Sequence, residues 1–186
     1  MFVAQKKRQE NISEYILYMF QVEDIIRALN GDDEAIEKYV LNNYKNAEGS
    51  TQAVIDWYIT LKNEMVLNNL MTSGHLPTIQ NLLFRLNTIH QQLLKMPVQS
   101  IYSTVYYKTL PAIIQLRSLS NDTKQNEIET CFVGIYGYLS LKMQGKEVSA
   151  ETLESIKQIS TFLAILADRF CEIEAGNIKV DNATEV

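Results

Sequence analysis

The chain has 186 residues, 46% of them apolar and 21% charged, with 17 basic and 22 acidic side chains and a net charge of −5. That size suits one folded domain with a sizeable core, and the acidic balance argues against the clustered positive surface that nucleic-acid binding needs. Its longest apolar runs, six residues at Tyr15–Phe20 and Phe162–Ala167, fall far short of the ~20 that cross a bilayer.

Lys6, Lys7 and Arg8 stand near the start, but polar residues follow them where a secretory leader would turn apolar, so a cytoplasmic chain is expected. The first predicted helix runs from about Gln5 to Asn30 and stops at Gly31, a residue suited to the left-handed conformation past a helix end. Its stripe is Ile12, Tyr15, Met19, Val22, Ile26 and Leu29. Asp32 or Asp33 caps a second helix through Tyr44, with Ile36, Tyr39 and Val40 facing inward and its acidic run explained by the positive end of the helix dipole. Glu48, Gly49 and Ser50 form a turn. Ser50 caps a third helix carrying Val54, Trp57, Tyr58, Leu61 and Met65, which ends before Gly74.

Pro77 opens a fourth helix, where its missing N–H is harmless, and Pro97 follows its end. That helix holds Ile79, Leu82, Leu86, Ile89, Leu93 and Met96, again in three-four spacing. A fifth begins near Val98 and should kink or break at Pro111, because proline disfavours the α conformation in Leu110 before it. A sixth follows Asn121 and Asp122 and ends at Gly145. Ser149 caps a seventh, whose stripe is Ile156, Ile159, Leu163, Leu166, Phe170 and Ile173, and Gly176 closes it. Residues 177–186 are expected to form a flexible C-terminal tail.

Apolar residues that recur three and four apart line one side of a helix and cannot alternate on a strand. The expected fold is therefore all-α: a single-domain bundle over residues 1–176, with about six to seven mostly antiparallel helices joined by short connections.

Chemical signatures are sparse. The chain has no Gly-rich phosphate loop, no Gly-x-Ser-x-Gly elbow and no Cys-x-x-Cys. The residues three before the two histidines are Thr72 and Asn87, which excludes the Glu-x-x-His pattern of di-iron bundles. Cys131 and Cys171 are isolated and in apolar helical context, so buried reduced thiols are expected. No catalytic residue, metal site or cofactor is predicted.

Arg85 and His90 fit the Arg-x4–6-His spacing of a family of helical ribonucleases. Five steps along a helix rotate by roughly 140°, however, which sets the two side chains on opposite flanks of the apolar seam. His90 could instead be a buried histidine bonded to a carbonyl or a tyrosine, or a polar contact in a ligand pocket. Tyr102, Tyr106 and Tyr107 suit a core edge or a pocket rim. Glu129, one turn before Val133 in an otherwise apolar helix, is a further candidate; His90, Tyr106, Tyr107 and Glu129 form the predicted ligand-binding set. Gly134 and Gly137 each cost a helix about 1 kcal/mol relative to alanine and are expected at close helix packing.

The opening FVAQKKRQENISEYILYMFQVEDIIRA, residues 2–28, resembles the N-terminus of a bacterial helical family known only as a domain of unknown function. The later stretches IHQQLL from Ile89, YYKTLP from Tyr106, NEIETCF from Asn126 and LAD from Leu166 resemble its other blocks, so the likeness covers nearly the full chain. The resemblance implies a small intracellular helical protein; the family has no accepted functional residues, and none is carried over. The expected function is a nonenzymatic helical interaction module that self-associates as a homodimer or binds another protein, without a membrane or nucleic-acid partner. The alternatives are a small-molecule-binding protein with a pocket between the fourth, fifth and sixth predicted helices, and the ribonuclease.

Overall fold

A computed structural model describes residues 2–44, 50–119 and 125–180. Among them are eight α-helices and no strand: α1 (Phe2–Glu10), α2 (Ile12–Ala28), α3 (Asp33–Asn43), α4 (Thr51–Leu67), α5 (Pro77–Leu93), α6 (Ser100–Leu119), α7 (Glu127–Met143) and α8 (Ala150–Glu174). The all-α expectation holds, and the helix count exceeds the six to seven expected. The extra helix comes from Asn11, which splits the first predicted helix in two. Its backbone is extended and its side-chain oxygen accepts from the N–H groups of Ser13 and Glu14, so it serves as the cap of α2.

The chain divides into two compact units, Met1–Asn81 and Leu82–Val186. In the first, α1 packs on α2, α2 on α4 and α3 on α4. Its core is built from Ile12, Ile16, Met19, Phe20, Val22 and Ile26 of α2 with Ile36 and Val40 of α3 and Tyr58 and Met65 of α4, all buried. Full burial of one such side chain contributes roughly 1.5–3 kcal/mol, so a three-four stripe on each helix is sufficient reason for these helices to form only together. At the end of α2 the backbone turns through Asn30 and Gly31, both at positive φ, and the Gly31 N–H reaches back to the Ile26 carbonyl. Asp32 caps α3 as expected, accepting from the Ala35 N–H. Ser50 is the cap residue of α4 by position, though its side chain makes no capping bond. Glu48 and Gly49 lie outside the described residues.

In the second unit α6, α7 and α8 pack on one another. Ile156, Ile159, Leu163, Leu166 and Phe170 of α8 are buried together with Leu86, Ile89 and Leu93 of α5 and Ile128, Phe132 and Ile135 of α7. A short 3-10 turn, Pro97–Gln99, leads into α6. Of the kink or break expected at Pro111, the break does not occur: α6 runs through the proline as one helix. Proline removes one N–H and crowds one carbonyl, a cost that α6 offsets by burying Tyr102, Tyr106, Thr109, Ala112 and Ile113 on both sides of the ring. The cap of α7 is Asn126, four to five residues past the expected Asn121 and Asp122, which lie outside the described residues. Ser149 caps α8 by accepting from the Thr152 N–H, and Gly145 and Gly176 follow α7 and α8 at positive φ. Of the expected tail, residues 177–180 are non-helical and 181–186 lie outside the described residues.

Candidate functional site

Three helices of the second unit bring polar side chains into one aromatic cluster, to which a fourth adds a phenylalanine. His90 lies one residue past Ile89 of the α5 seam and is fully buried. Tyr102 and Tyr106, one helical turn apart on α6, meet it from the same face. The Tyr102 hydroxyl lies 2.7 Å from His90 Nδ1. The Tyr106 ring stands edge-on to the imidazole at 4.7 Å between centroids, and Phe162 of α8 does the same at 5.5 Å. Glu127, the first residue of α7, completes the group: its Oε2 accepts from the Tyr106 hydroxyl at 2.6 Å and lies 3.6 Å from His90 Nε2.

Burial disfavours the imidazolium, so His90 titrates below the ordinary histidine value, with Glu127 pulling in the opposite direction. Burial also raises Tyr102 and Tyr106, which therefore remain phenols and hydrogen-bond donors. If Tyr102 donates to Nδ1, the neutral imidazole carries its proton on Nε2. That nitrogen has no hydrogen-bond partner among the described residues, because 3.6 Å to Glu127 is too long for one. The arrangement can hold a neutral histidine in one tautomer and a carboxylate on a phenol. Cys131, also buried, has its thiol pushed up by desolvation and is a poor nucleophile. No group of three metal-ligating side chains occurs among the described residues.

The predicted set is brought together only in part. His90 and Tyr106 meet. The Tyr107 ring touches that of Tyr106 at 5.1 Å but is exposed. Glu129 faces the start of its own helix, where its Oε2 accepts from the Asn126 N–H while Asn126 Oδ1 accepts from the Glu129 N–H. This is a reciprocal capping box. Sequence reasoning missed the carboxylate that does join His90, Glu127, two residues earlier; it also left Tyr102 and Phe162 out of the set. Arg85 ion-pairs with Glu174 and lies over the Phe170 ring at 5.2 Å, whereas His90 is partnered by Tyr102. A Cβ on Gly134 would stand 2.4 Å from Leu116 Cδ1, which makes Gly134 a point of close approach between α6 and α7. Gly137 is exposed, and among the described residues a Cβ there would meet nothing within 4 Å.

The first unit holds a second histidine–carboxylate pair. Phe20, Glu23 and Arg27 share one face of α2 and grip the segment before α5. Glu23 is fully buried, its Oε1 accepting from the Leu76 N–H at 2.8 Å and its Oε2 lying 2.6 Å from His75 Nδ1. The His75 ring stacks on Phe20 at 3.7 Å, and the Arg27 guanidinium donates to the carbonyls of Leu70 and Gly74. Each side chain here satisfies backbone or partner, as a structural clasp would.

The family described as Domain of unknown function (DUF4924) matches residues 1–177, and the chain belongs to it. Neither curated proteins nor solved structures yield a match to the chain.

Proposed function

We propose that this member of a family of unknown function is a nonenzymatic helical interaction module that self-associates, acting in the cytoplasm with a second copy of itself or another protein as partner. Antiparallel neighbours joined by short connections are part of the same reading. The observation that supports it is the number of large apolar side chains left outside in the second unit: Val98 is 79% exposed, Ile101 71% and Phe84 67%. Isolated exposed apolar residues are ordinary, but here Tyr107, Pro111 and Ile114 also share one exposed stripe of α6, and apolar surface of that kind is what protein contacts cover. Light scattering across a wide range of protein concentration tests the reading: a rise from monomer to dimer mass is expected, and a strict monomer overturns it.

A second reading, binding of a small molecule beside His90, Tyr106 and Glu127, draws on the buried Nε2 that lacks a hydrogen-bond partner. Native mass spectrometry of gently purified protein tests it; a bound small molecule that disappears on Tyr106→Phe is expected, and an unladen chain overturns it.

A further inference from the structure

Resting on the self-association reading, we infer that the exposed stripe of α6 is the contact surface and that a second copy covers it with the same stripe, the two helices antiparallel about a two-fold axis beside Pro111.

Around the axis of α6, Tyr107 and Ile114 stand roughly 40–60° to one side of Pro111, and Lys108 and Gln115 stand about as far to the other. All five are exposed, Tyr107 by 62% and Ile114 by 58%. The outward face therefore has an apolar flank and a polar flank, divided by the proline ring. Arg117, the other charged residue of α6, belongs to neither. It lies about 120° round from Pro111 and donates to the Gln125 carbonyl.

The polar flank carries one charge of each sign. Lys108 has no ion-pair partner among the described residues. Further along, Gln115 Nε2 donates at 3.3 Å to Oε1 of Glu151, an exposed residue in the first turn of α8. That bond holds the carboxylate beside the flank on which Lys108 stands. One copy thus presents a cation and an anion about two turns apart, on either side of Pro111.

This order of groups is self-complementary. A two-fold axis across antiparallel helices sets each flank against the same flank of the second copy, with its direction reversed. Tyr107 then meets Ile114 of the second copy, and the two proline rings meet near the axis. On the other flank Lys108 meets Gln115 of the second copy, with the Glu151 carboxylate beside it. Each contact occurs twice, so two ion pairs border one apolar strip. Parallel pairing would instead lay each flank on the opposite one, stranding Lys108 and Glu151 against Tyr107 and Ile114. A second copy brings the matching sequence of apolar and charged groups with it, and that selects it as the occupant.

Charge reversal on the full chain tests this. Lys108→Glu and Glu151→Lys each set like charges together at both ends of the contact. Either should weaken the dimer about five- to tenfold by sedimentation equilibrium at low salt. The double variant restores opposite charges and should recover most of that loss, and high salt should shrink all three differences. Ile114→Asp, at an exposed position in the apolar strip, should weaken the dimer more than either reversal. Circular dichroism melts matching the parent chain keep the comparison free of unfolding. A dimer indifferent to Ile114→Asp, or a double variant without recovery, overturns the α6 pairing while leaving self-association standing. A parent chain that stays monomeric throughout leaves the stripe to a different protein and overturns both.

Discussion

The Tyr102 hydroxyl and His90 Nδ1 share a 2.7 Å hydrogen bond with both side chains excluded from solvent. Because burial lowers the His90 pKa from its usual 6.5, the unfolded chain binds a proton at this residue more readily than the folded one. Its contribution to stability is therefore fully present above pH 6.5 and declines as the pH falls from there to the lowered folded value. Urea midpoints measured from pH 7.5 downward should drop less steeply below pH 6.5 in His90→Gln than in the parent. Proton NMR titration should place the His90 imidazole below 6.5, its signal identified by its absence from His90→Gln. A His90 signal at or above 6.5 would contradict the burial argument.

Glu23 is a carboxylate without solvent contact, and its stability contribution rests on what it accepts from. Glu23→Leu keeps the volume but strands the Leu76 N–H, which should cost about 1–3 kcal/mol, with added loss from His75 and Arg27 facing an apolar side chain. Glu23→Gln retains an acceptor for Leu76 and should cost less. Denaturant unfolding gives the energies, and hydrogen exchange at the Leu76 amide reports the cause: faster exchange in Glu23→Leu than in Glu23→Gln is expected.

Asn11 ends α1 and starts α2 through one side-chain oxygen. Asn11→Ala should destabilise the chain by about 1 kcal/mol, while Asn11→Asp keeps the acceptor and adds a charge favourable at a helix N-terminus. Thermal melts of the two variants should therefore separate, with Asp at or above the parent and Ala below it.

 The three six-residue stripes made the helices legible: fourteen of those eighteen residues are buried and four, Tyr15, Leu29, Met96 and Ile173, are half-buried. Periodicity reports the inward side of a helix because burial selects it. What it hides are the boundaries. Asn11-x-x-Glu14 and Asn126-x-x-Glu129 both carry the spacing of an N-terminal capping box, and recognising it would have divided the first helix and moved the start of α7. It would also have taken Glu129 out of the ligand set. The Tyr102–Tyr106 step was visible as one face of α6, but its meeting with Glu127 and Phe162 joins residues on three helices, and no spacing within one helix encodes that.

The two mid-helix glycines of α7 allow packing to be measured apart from propensity. Gly→Ala at either site gains the same helix preference, about 1 kcal/mol. At Gly134 the new methyl must displace Leu116, and overpacking of that kind costs about 1–3 kcal/mol, whereas at Gly137 it meets nothing within 4 Å. The difference in unfolding energy between Gly137→Ala and Gly134→Ala should therefore equal the overpacking cost alone, with Gly137→Ala the more stable. Both are measured at one low protein concentration, so that self-association does not enter the comparison. Trimming the obstruction with Leu116→Ala should then shrink the penalty of Gly134→Ala in a double-mutant cycle. Equal stabilities for the two alanine variants would mean that α6 and α7 do not meet at Gly134 as described.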